Sequence, residues 1–173
     1  GIDTDRINGV LEQAHRRGLF VYGVVNCAVK PEDFSRVVTS FETLIDMGVD
    51  GIWLSFDDAG EGLYSERLIQ DTLAMAQRKG LSSNQIVMTP PAGSYHNIMT
   101  PWNKAMAGQE GFDEIHWFFT RIPCDCDVQD ARKIGLDSTQ PAWWHNWPRY
   151  SSGLLNGAYG VNLFSRTPYF ELT

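Results

Sequence analysis

Two hydrophobic patterns alternate along this chain: short apolar runs, and stretches in which apolar residues recur every three or four positions. The first pattern predicts strands and the second amphipathic helices. Residues 7–17 read as a helix ended by Gly18, and residues 19–25 as the strand that follows. Residues 31–47 predict a second helix, with Pro31 in the first turn, where a missing N–H is tolerated, and Gly48 as its terminator. Phe34, Val37, Val38, Phe41, Leu44 and Ile45 share one face of it, which marks them as core.

The same alternation continues. Strands are predicted over 51–56, 85–89, 114–119, 142–145 and 159–164. Helices are predicted over 63–79, closed by Gly80, over 102–107, and over 128–134, stopped by Gly135. Strands that alternate with helices imply right-handed βαβ units and a parallel sheet covered by helices. The two architectures built that way are an open doubly wound sheet and a (β/α)8 barrel.

Two further observations choose between them. No glycine-rich phosphate loop follows any strand, so nothing favours a nucleotide-binding sheet. Polar and aromatic residues gather after successive strands instead: Asn26, then Asp57 and Asp58, Tyr95 and His96, Thr120 and Arg121 beside Phe119, and Asn146 and Trp147. Chemistry supplied by many strand ends is the habit of the barrel. The expected fold is therefore α/β of the (β/α)8 TIM-barrel type, as one partial domain over residues 1–173. About six βα units are visible, with the first two missing. An unpaired barrel edge invites association, so self-association of the chain, most simply as a two-fold dimer, is expected too.

Composition narrows the partners. The chain has 173 residues, 43% hydrophobic and 20% charged, which suits a folded domain with a real core. A net charge of -7 without a basic cluster argues against nucleic acid and anionic membrane surfaces. The start at Gly1 shows no signal-peptide pattern and no run reaches a membrane span, so the sequence favours neither a secreted nor a cytoplasmic setting. Cys27, Cys124 and Cys126 lack the spacing of zinc or redox motifs, and the four histidines are scattered, so neither a metal site nor a cofactor is expected.

The candidate chemistry rests on Asp57 and Asp58, which follow the apolar run over 51–56 directly. Neighbouring carboxylates where a buried strand ends are costly to ionise together, and acid–base sites use that separation. The ordinary alternative is a solvated pair, one of them capping the next helix.

Residues 46–58, DMGVDGIWLSFDD, resemble the signature of the family 84 glycoside hydrolases, the β-N-acetylglucosaminidases that include O-GlcNAcase and hyaluronidase-like enzymes. Residues 87–91, VMTPP, and 141–148, PAWWHNWP, agree with that family in order and spacing. The resemblance covers nearly the whole chain, as the later part of the family's catalytic barrel. It implies retaining, substrate-assisted hydrolysis of an N-acetylglucosamine-containing glycan or glycoprotein, an exception to the scheme with a carboxylate nucleophile. On that reading Asp57 orients the 2-acetamido group and Asp58 is the general acid and base. Tyr95, Trp144 and Asn146 match the family's pocket residues, and Asn26 and Phe119 complete the candidate substrate-binding set.

The chain also departs from the family. Tyr150, Ser151 and Ser152 stand where an aspartate grips sugar hydroxyls, and Thr167-Pro168 where an asparagine precedes the proline. Those departures leave two other readings open: a non-catalytic glycan- or protein-binding relative, and an unrelated glycosidase in which Asp58 pairs with Glu61 or Asp113.

Overall fold

A computed structural model of the protein describes residues 4–56, 66–91, 94, 99–109, 111–112, 115–120, 133 and 142–144. In chain order its elements are α1 (Thr4–Arg16), β1 (Tyr22–Asn26), α2 (Phe34–Asp46), β2 (Gly51–Ser55), α3 (Glu66–Arg78), β3 (Ile86–Thr89), α4 (Pro101–Ala107), β4 (His116–Thr120) and β5 (Ala142–Trp144). Short 3-10 turns at Pro31–Asp33 and Ser83–Gln85 lead into α2 and β3. The five strands form one sheet in the order β1-β2-β3-β4-β5, and every neighbouring pair is parallel. This is the consecutive parallel α/β arrangement that the alternating pattern predicts. The expected strand over 159–164 lies outside the described residues, as does the helix over 128–134 apart from Lys133.

Three helices end in the same way. Gly18, Gly48 and Gly80 take positive φ of 70, 96 and 86°, a conformation that costs glycine nothing. The residue after each glycine then bonds back to the carbonyl five positions earlier: Leu19 N to Ala14 O, Val49 N to Leu44 O and Leu81 N to Ala76 O. These are Schellman caps, which use an apolar residue just past the glycine. That explains a correction at β1. Leu19 closes the cap of α1 and Phe20 lies in the connection that follows, rather than in the strand expected over 19–25, and they are 56% and 70% exposed. The strand itself begins at Tyr22 and runs to Asn26.

The core lies on one face of the sheet. Ile52, Leu54 and Phe56 are fully buried and pack with Val37 and Phe41 of α2, Leu68, Ile69 and Leu73 of α3, and Trp102 and Met106 of α4. Burying each such side chain is worth about 1.5–3 kcal/mol. Gly51 is fixed by close approach, because a Cβ there would run into the Gln85 carbonyl oxygen and the Tyr22 ring.

The opposite face is covered unevenly. Val24, Trp53, Val87 and His116 stand in register across β1 to β4. Val24 is 53% exposed and Trp53 half-buried, while Val87 and His116 are buried. No helix among the described residues is long and apolar enough to cross a membrane.

Candidate functional site

Parallel strands bring their C-terminal ends to one edge of the sheet. Asn26, Ser55 and Thr89 stand in register there on β1, β2 and β3, and Thr120 pairs with Trp144 across β4 and β5. The ladder continues beyond the strands themselves. Cys27 N donates to Ser55 O at 2.7 Å, and Phe56 N donates to Thr89 O at 3.1 Å. The peptide unit between Ser55 and Phe56 is therefore tied to both neighbours, its carbonyl to the end of β1 and its N–H to the end of β3.

Side chains reinforce that tie from both faces. On the helical side, the buried Phe56 ring lies 6.2 Å from Trp102, which lies 6.2 Å from Trp117 in an edge-on contact. Trp117 is anchored in turn, its Nε1 donating to Phe112 O at 2.7 Å. Tilted aromatic contacts of this kind contribute about 0.5–1.5 kcal/mol each beyond the area they bury. On the other side, Trp53 Nε1 donates to Thr89 Oγ1 at 2.7 Å.

Asn26 turns the chain that leaves β1. Its Oδ1 accepts from Ala28 N at 2.8 Å, a local bond that asparagine makes readily at the start of a loop. The next residue, Cys27, is 1% exposed, and burial pushes its thiol up to about 12. A buried thiol held in its protonated form is a poor nucleophile at neutral pH.

The segment after β3 is held by residues that sequence reasoning passed over. Ser94, Thr100 and Asn103 are buried together. Ser94 and Thr100 share a hydroxyl bond of 2.8 Å, Asn103 Nδ2 donates to Ser94 O at 2.7 Å, and Ser94 N donates to Pro91 O at 2.9 Å. Thr100 also caps α4 through Asn103 N, with Pro101 in the first turn. Threonine followed by proline is a helix-start signal and was the one cue in the sequence for this cluster. It holds Ser94 against the start of α4.

The candidate residues divide accordingly. Asn26 is described in full, at the end of β1. Phe119 and Trp144 are described as backbone positions, at the penultimate place of β4 and the last place of β5 on adjoining strands. Asp57, Asp58, Tyr95 and Asn146 lie outside the described residues, as do Glu61 and Asp113. Asp57 and Tyr95 each follow closely on an anchored position, Phe56 and Ser94 respectively.

No family model matches the sequence, and no curated protein matches it. Solved structures do. The fold is similar to that of a mutant of Thermobaculum terrenum O-GlcNAc hydrolase, with a TM-score of 0.63 and 15% identity, over 88% of this chain and 37% of that one. It is also similar to the structure of CpGH84B, with a TM-score of 0.57 and 19% identity, over 84% of this chain and 29% of that one. The chain thus spans 37% and 29% of the lengths of these two structures, and at such identities the likeness is one of fold.

Proposed function

We propose that this chain is the later part of the catalytic barrel of a retaining β-N-acetylglucosaminidase-like glycoside hydrolase that uses the substrate's own 2-acetamido group as nucleophile. The observation that carries the proposal is a coincidence of place. Asp57 and Asp58 follow the end of β2, the second strand of a parallel sheet whose fold is similar to that of an O-GlcNAc hydrolase, just after a peptide unit, Ser55 O to Phe56 N, that is bonded to both neighbouring strands. On this reading the five strands are consecutive strands of a (β/α)8 barrel within one domain over residues 1–173, and the partner is an N-acetylglucosamine-containing glycan or glycoprotein.

The chemistry follows from the two carboxylates. In the first step the acetamido oxygen attacks the anomeric carbon, and Asp58 gives its proton to the departing glycosidic oxygen. Asp57 accepts a hydrogen bond from the acetamido N–H, whose positive charge grows as the oxazolinium ring forms. It therefore stabilises the transition state more than the ground state. In the second step Asp58, now ionised, takes a proton from water as the water opens the ring at the anomeric carbon, which restores the original configuration. Neither acid has to reach that carbon itself, so adjacent positions in the chain suffice. Asn26, Tyr95, Phe119, Trp144 and Asn146 serve as the substrate-binding set.

A second reading, a glycan- or protein-binding relative without turnover, is favoured by Tyr150, Ser151, Ser152 and Thr167 at the positions where hydroxyl-gripping residues are expected. One experiment separates the two. Aryl β-glucosaminides whose N-acetyl group carries none, one, two or three fluorines are offered to the full natural protein. Fluorine draws electrons from the carbonyl oxygen, so hydrolysis is expected to slow with every fluorine added. Rates that ignore fluorination would rule out acetamido participation, and binding without hydrolysis of the unfluorinated compound would establish the second reading.

A further inference from the structure

We draw no further inference here: the strongest candidate, the apolar slot between α1 and β1 lined by Ile7, Val10, Val24 and Leu44, at the edge of the sheet where Val10 and Val24 are exposed, carries none because nothing in the structure shows what covers it.

Discussion

At the start of β2 the polar side chains serve the fold. Asp50 Oδ2 accepts from Val21 N at 2.7 Å and from His15 Nε2 at 2.9 Å, while Gln85 Nε2 donates to the Asp50 carbonyl at 2.6 Å, tying α1, β1 and the approach to β3 together. At the other end of the same strands Asn26, Ser55 and Thr89 line up across the sheet, and the candidate acids come next in the chain. Both ends of a parallel strand break the ladder and leave backbone groups to satisfy. Here one end meets that need with Asp50 and Gln85 bonded across three elements, and the other with Asn26 bonded to the Ala28 N–H and Thr89 to the Trp53 indole. Conventional barrels keep stability at the strand starts and chemistry at the strand ends, and the proposed glycosidase would follow that division. An acid near a strand is therefore a weak indicator of function until it is known which end it occupies: Asp50 and Asp57 flank the same strand.

The largest effect expected at the strand starts concerns pH. His116 opens β4, is 6% exposed, and is pushed down by burial to about 4. The unfolded chain takes up the proton near pH 6.5, before the folded protein does. Stability is therefore complete above about pH 6.5 and falls as the pH drops towards 4, by up to about 3 kcal/mol across that window. Urea unfolding at pH 7 and pH 4.5 measures the fall, and His116→Gln should flatten it. An equal fall in wild type and variant would place the acid sensitivity in other groups.

A smaller effect is expected at Asp50. Asp50→Ala strips a partner from the Val21 N–H and from His15, and should cost about 1–2 kcal/mol in urea unfolding. In the glycosidase proposed above kcat should remain within about twofold of wild type. A large loss of kcat in a protein that is still folded would erase the distinction between the two ends.

Much of this architecture was legible in the sequence because local signals and global pattern agree. The glycine stops at 18, 48 and 80 are Schellman caps, and the apolar face from Phe34 to Ile45 packs on the sheet as its spacing predicts. The start of β1 misled because Leu19 closes the cap of α1 and Phe20 lies in the exposed connection to the strand, and apolar content alone cannot separate such positions from a strand. The Ser94, Thr100 and Asn103 cluster was hidden for a different reason. Its bonds span six and nine residues and join Ser94 to the start of α4, and no periodicity encodes such a contact. The candidate acids stood out through a resemblance of motifs, not through periodicity, which could say only that two carboxylates end an apolar strand.

The relative roles of Asp57 and Asp58 offer the most direct test of the proposed chemistry. Hydrolysis of an activated aryl and an alkyl β-N-acetylglucosaminide is measured for wild type, Asp57→Asn and Asp58→Asn. A general acid matters little to a good leaving group and much to a poor one. Asp58→Asn is expected to keep far more activity on the aryl than on the alkyl glycoside, and Asp57→Asn to lose similar fractions on both, with losses of about two to four orders of magnitude where each role is fully exerted. Wild-type turnover unaffected by either substitution, or sugar binding without turnover and with unchanged affinity in Asp57→Asn, would contradict the assignment of chemistry to this strand end.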